Sequence, residues 1–213
     1  MKNISKRHLA MALGWLGGFA LWTAAVRLID VQPIGPLGSA VGLTAVNGLF
    51  HDWTGVHMAL YTITDWLSLI PAGIVLGFAI LGLVQWIKRK SLYKVDQSIL
   101  VLGGCYVAVM AVYLLFERWV VNYRPVLIGG VLEASYPSST TVLVLMVMTT
   151  AILQLRVRIK KTWLRKTVVV GMAAFAAFMV VGRLVSGVHW LTDIVGGVLL
   201  SAGMVELYVS LAE

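Results

Sequence analysis

The sequence predicts an all-α fold, a polytopic membrane helix bundle of about six transmembrane helices with interfacial helices in its first outer segment. Three observations carry that prediction. Of the 213 residues, 60% are hydrophobic and only 12% are charged, with a mean hydropathy of +0.90. A soluble domain carries about 25% charge, so this chain has too little polar surface to coat a water-soluble globule. Six stretches, 9–29, 67–87, 98–116, 138–155, 167–184 and 189–211, are long and apolar enough to serve as spans, given that a bilayer core takes about 20 residues of helix. The basic residues, finally, fall in alternate connections between those stretches.

Taken in order, the first span follows Lys2, Lys6 and Arg7. Its apolar run is too long for a signal peptide and no small-residue cleavage site follows it, so it is read as a retained span. The outer segment 30–66 is apolar but interrupted by Asp30, Pro33, Pro36, Asn47, His51, Asp52, His57 and Asp65. Within it, 42–60 suits one or two amphipathic helices at the interface, with a seventh, re-entrant element as the alternative. His51 and His57 are six apart and lie on different helix faces, which makes interfacial polar residues a better reading than metal ligands. The second span ends at Trp86 and Lys88. The third carries the lone Cys105, which excludes an intramolecular disulfide. The fourth begins at Tyr136-Pro137-Ser138 and ends in a basic loop containing Trp163; the fifth and sixth flank 185–188. No repeat, low-complexity segment or soluble linker divides the chain, so residues 1–213 are read as one domain.

Of the 17 Lys and Arg residues, 13 lie in three alternate segments: Lys2, Lys6 and Arg7; Lys88, Arg89, Lys90 and Lys94; and Arg156, Arg158, Lys160, Lys161, Arg165 and Lys166. Only Arg27, Arg118, Arg124 and Arg183 remain for the other side. Basic loops stay in the cytoplasm, which places both termini inside. The net charge of +8 is then explained by topology and attraction to anionic lipids, and no nucleic-acid partner is implied.

Chemistry-bearing residues gather in the two later outer connections. One reads Glu117-Arg118-Trp119-Val120-Val121-Asn122-Tyr123-Arg124-Pro125 and leads on to Tyr136-Pro137-Ser138-Ser139-Thr140-Thr141; the other runs from Gly182-Arg183 to His189-Trp190-Leu191-Thr192-Asp193. Such groups are costly at membrane depth and mark function. His189 and Asp193, four apart at a helix start, share a face, so the carboxylate can hold the imidazole in one tautomer. Arg124 and Arg183 offer guanidinium forks to phosphate oxygens. Ser138 and Ser139 open a helix whose first amides favour an anion. The set is a phosphate cradle facing a nucleophilic histidine.

These residues resemble the type-2 phosphatidic acid phosphatase superfamily, whose signature is K-x6-R-P, P-S-G-H and S-R-x5-H-x3-D. The third motif is matched by Arg183, His189 and Asp193, with Gly182 at its leading Ser; the first by Arg124-Pro125; the second by Pro137-Ser138. The resemblance implies a metal-independent, cofactor-free lipid phosphatase on the outer face of a bacterial cytoplasmic membrane. His189 would form a phosphohistidine, Asp193 would orient it, and Arg124, Ser138 and Arg183 would bind phosphate, with Ser139 and Thr140 beside them. Two positions depart from the pattern. The first-motif Lys falls on Glu117, read as a partner for Arg118, Arg124 or Arg183, and the second-motif His, the general acid, falls on Thr140.

A missing acid matters according to the leaving group. A phosphomonoester expels an alkoxide, comparable to hydroxide with a parent pKa of about 15.7. A diphosphate expels a phosphate ester whose second pKa is about 6. The substrate expected by this reasoning is a lipid diphosphate such as undecaprenyl diphosphate. Two alternatives stay open: a degenerate relative that binds or moves phospholipid without hydrolysis, and an unrelated small transporter, which leaves the motif order unexplained. The sequence does not indicate the oligomeric state.

Overall fold

The computed structural model describes residues 2–212. Among them eight α-helices follow one another: α1 Lys2–Leu28, α2 Thr44–Thr54, α3 Met58–Leu67, α4 Leu69–Arg89, α5 Gln97–Arg118, α6 Ser139–Arg158, α7 Thr162–Val185 and α8 Leu191–Ala212. Among the described residues there is no strand, only isolated bridges. Six stretches of the described residues are long and apolar enough to cross a membrane: Ile4–Leu28, Met58–Arg89, Gln97–Arg118, Ser139–Arg158, Thr162–Val185 and Leu191–Ala212. The chain is thus a multi-pass membrane protein.

In the second of these α4, Leu69–Arg89, matches the span expected over 67–87, and α3 extends the apolar stretch back to Met58. Polar residues in α3 make the sequence look like a loop, but Thr62 and Thr64 return their hydroxyls to the carbonyls of Met58 and Leu60 at 3.0 and 2.9 Å. A polar side chain satisfied by its own helix does not end it. The break at Ser68 has its own cause. Pro71 has no N–H to give the carbonyl of Leu67 and its ring crowds that carbonyl, while the Ser68 hydroxyl bonds the Asp65 carbonyl. Of the interfacial helices expected over 42–60, α2 is present as a separate helix; 58–60 instead open the second span.

Two helices form the centre. In their most apolar stretches 56% of α6 and 50% of α8 is buried, against 22% for α1, α5 and α7 and 6% for the α3–α4 span. The outer helices consequently present large apolar side chains such as Leu21, Leu76 and Val107 outward, as a lipid-facing surface requires. α8 packs along α1 on one side and against α5 and α6 on the other. Phe19, Phe116 and Tyr136 stack at that junction, and the Tyr136 hydroxyl meets Thr23 at 2.7 Å.

With the helices alternating in direction, the basic segments at the start of α1, between α4 and α5 and between α6 and α7 lie at one end. Residues 119–138 and 186–190 lie at the other. The basic end is tied by Asp96, just before α5, which accepts from Arg89 at 2.9 Å and from Gln85 at 2.8 Å. Those hydrogen bonds hold the Asp96 carboxyl below the usual carboxylate range.

Candidate active site

His189 sits in the turn between α7 and α8, and that turn is fixed from both sides. Gly187 has φ of +68°, and a Cβ there would stand 2.0 Å from the Gly55 carbonyl oxygen, so the α2–α3 link closes directly over it. The amide of His57 donates to the Ser186 carbonyl at 2.9 Å. On the other side the Trp190 indole donates to the Tyr123 carbonyl at 2.7 Å. His189 is 3% exposed and Asp193 is fully buried.

The imidazole has a defined proton order. Arg124 Nη1 lies 3.2 Å from His189 Nε2, and a guanidinium can only donate, so Nε2 is the unprotonated nitrogen. Nδ1 therefore carries the hydrogen. Its partner is Ser135 Oγ at 3.0 Å, which passes its own hydrogen to Asp193 Oδ2. Asp193 itself stands 3.7 Å from Nδ1. The direct His–Asp contact suggested by the spacing is thus a three-member chain with Ser135 in the middle. Asp193 is further held by the Trp190 amide at 2.9 Å and by Asn122 Nδ2 at 3.3 Å. Burial pushes the His189 pKa from its ordinary 6.5 down to about 4; Asp193 opposes the shift and Arg124 adds to it. The ring is neutral at physiological pH, with the Nε2 lone pair facing a cation.

Both arginines are already paired. Arg183 Nη2 bonds Asp65 Oδ1 at 3.0 Å and Thr140 Oγ1 at 2.7 Å, and its guanidinium stacks 4.7 Å from the centre of the Tyr61 ring. Arg124 Nε lies 3.0 Å from Glu133 Oε2, near enough for an ion pair although the Nε–H is not aimed at that oxygen. Arg124 meets Glu133 because residues 122–135 fold back on themselves. The Tyr123–Ala134 and Ile128–Val131 bridges close about Gly129 and Gly130, whose φ values of +58° and +80° suit a tight hairpin turn. The same fold-back joins the Ser135 amide to the Asn122 carbonyl at 2.9 Å, which sets Ser135 beside Asp193.

The residues singled out in the sequence fall in two layers. Arg124, Ser139, Thr140, Arg183, His189 and Glu117 line one cavity of about 1060 Å³. Asp193 and Ser138 lie behind it. Ser138 is fully buried as the N-cap of α6, accepting from the Thr141 amide and hydroxyl at 3.4 and 3.0 Å, so its oxygen is committed to the helix. Glu117 faces the cavity but pairs with neither site arginine, whose carboxylate partners are Glu133 and Asp65. The expected pairing is corrected on that point. Glu133, Ser135 and Tyr61 are additions that the motif reading missed. The Gly129-Gly130 pair between apolar runs was the available signal for the first two, since a hairpin there returns 131–135 to 122–124.

From this charged mouth the cavity continues between α5 and α6 past Tyr113, Met110, Val142 and Met146, reaching Tyr106. The Tyr106 hydroxyl bonds Thr150 at 2.9 Å. Ser139 to Thr150 is about 16 Å along a helix, roughly half the hydrocarbon thickness.

A membrane-embedded bundle with a neutral, buried histidine facing two arginines at the head of an apolar cleft defines the class of multi-pass membrane phosphatases. The chain belongs to the PAP2 superfamily, whose pattern matches residues 104–212. Its fold is also similar to that of a transmembrane PAP2 type phosphatidylglycerolphosphate phosphatase from Bacillus subtilis, with a TM-score of 0.52, 19% sequence identity and 94% of each chain covered. No curated protein matches the chain.

Proposed function

We propose that the protein hydrolyses a lipid diphosphate through a phosphohistidine formed on His189, on the outer face of the cell membrane with both termini inside. The observation that carries this reading is the single cavity joining Arg124, Arg183 and His189 to an apolar cleft half a bilayer deep. A phosphate head with a hydrocarbon tail is the ligand that such a cavity accommodates.

The steps follow from the hydrogen-bond order. An incoming terminal phosphate draws Arg124 off Nε2 and onto its own oxygens, which frees the lone pair. Nε2 attacks phosphorus, the bond to the bridging oxygen breaks, and the lipid phosphate leaves with that electron pair. The positive charge that develops on the ring is met through Ser135 by the buried carboxylate of Asp193. Water then attacks phosphorus, the P–N bond breaks, and inorganic phosphate departs. Arg183 and the first amides of α6 neutralise the transferring group. Guanidinium forks supply that neutralisation, so chelators should leave turnover unchanged.

Thr140 supports the preference for a diphosphate. Its oxygen accepts from Arg183, which leaves its own O–H free for a bridging oxygen. A hydroxyl can hydrogen-bond a leaving group but cannot protonate it, and general acid help is typically worth roughly 10²–10⁴-fold. The test is phosphate release by purified protein from a polyprenyl diphosphate, phosphatidic acid and phosphatidylglycerophosphate, beside His189→Ala. Diphosphate turnover should exceed the other two and vanish in the variant. Equal turnover of all three would refute the leaving-group argument. Binding without release, unchanged in His189→Ala, would establish the non-hydrolysing alternative. Sidedness is checked with an impermeant thiol reagent on intact cells, which should label a cysteine placed at 126–134 and spare one at 156–162.

A further inference from the structure

We propose that a second groove, between α4, α6 and α7, binds an anionic phospholipid, with one acyl chain along the groove and its phosphate on the basic α6–α7 connection. The groove has a volume of about 490 Å³ and shares no lining residue with the catalytic cavity. Phe78 and Leu81 of α4, Met148 and Leu155 of α6, and Met172 and Phe175 of α7 form its walls. Gly77 and Gly171 also line it, and a Cβ added at either would meet no atom within 4 Å. The space is open where these two glycines stand.

Its length and polarity select the ligand. On α6 the groove follows about 15 Å of helix from Met148 to Arg158, and on α4 it is lined from Ile70 to Leu81, a length that suits an acyl chain. Arg158 is the one charged residue lining it and stands at its mouth. Arg158 faces Asp96 at 3.6 Å, a carboxylate already shared with Arg89, and also donates to Gln154. In and beside the α6–α7 connection Arg156, Lys160, Lys161 and Lys166 are exposed, and no acidic residue occurs in sequence between Glu133 and Asp193. An excess of cation at the polar end of an apolar groove complements an anionic lipid and gives a zwitterionic one no advantage. This assignment is independent of the chemistry at His189.

The experiment is native mass spectrometry of the intact protein released from nanodiscs of equal phosphatidylglycerol and phosphatidylcholine. The parent should retain phosphatidylglycerol in preference to phosphatidylcholine. Lys160→Gln with Lys161→Gln should cut that preference at least fivefold, since a basic residue near the surface is worth about a factor of five. Gly171→Phe, which fills the groove without touching a charge, should remove the retained lipid altogether. The thermal unfolding of each variant, measured in parallel, reports whether it is folded. Equal retention of both lipids by the parent would overturn the proposal. So would phosphatidylglycerol retention unaffected by Gly171→Phe, or a dimer that Gly171→Phe dissolves, which would put a second copy of the chain in the groove.

Discussion

Replacing Ser135 by Ala isolates the link between the imidazole and its carboxylate. The variant removes the acceptor 3.0 Å from Nδ1 and leaves Asp193 3.7 Å away, beyond hydrogen-bond reach. A hydrogen bond to a group that becomes charged is worth about 1.5–3 kcal/mol, and each 1.36 kcal/mol on a barrier is about tenfold in rate. The expected loss is therefore about 10- to 100-fold in kcat. KM should change little, because Arg124 and Arg183 keep their places. Phosphate release from a polyprenyl diphosphate in detergent measures both constants, with the melting temperature as a check on folding. A kcat within twofold of the parent would refute the relay. It would mean that the ring closes the gap itself and takes Asp193 as a direct partner.

Acid titration tests the burial of His189. With a pKa near 4 in the folded protein against an ordinary 6.5, the unfolded chain binds the extra proton between those values and the folded one does not, so stability should fall as pH drops from 6.5 to 4. Nitrogen-15 spectra of labelled histidine should still show a neutral ring protonated on Nδ1 at pH 5.5; a midpoint at 6.5 or above would contradict the buried environment. Gly187→Ala should destabilise the protein by more than 1 kcal/mol, through positive φ and the clash with Gly55, and should lower phosphate affinity as the turn shifts; an unchanged melting temperature would show that the α2–α3 link gives way instead.

What the sequence made legible follows from the range of each interaction. Helices in a bilayer satisfy their backbone internally, so apolar length alone located α4, α5, α6 and α8 to within about three residues at each end, whereas the polar first turns of α1 and α7 lie before the expected spans. That α3 extends the second apolar stretch back to Met58 was not expected, because Thr62, Thr64 and Asp65 look like loop residues until their local bonds are known. At the site, Arg183, His189 and Asp193 lie close together in the chain and could be read from spacing. The partners that set their geometry are distant: Asp65 is 118 residues from Arg183 and Ser135 is 58 from Asp193. Glu117 misled for the opposite reason. It lies seven residues before Arg124, but Arg124 is turned towards Glu133 by a hairpin that motif spacing does not encode.

The pairing of Arg124 with Glu133 and of Arg183 with Asp65 bears on which lipids the site can ignore. A phosphatase in a bilayer is surrounded by phosphodiester headgroups, each with a single negative charge and vastly outnumbering any substrate. If the two guanidiniums stood bare, those bystanders would occupy them continuously. With a carboxylate already on each, a diester gains little by exchange, whereas a terminal phosphate brings nearly two charges and three acceptor oxygens and can displace both. On the chemistry proposed above, the resting ion pairs set an admission threshold, and removing either carboxylate should make the enzyme more easily inhibited by ordinary phospholipid.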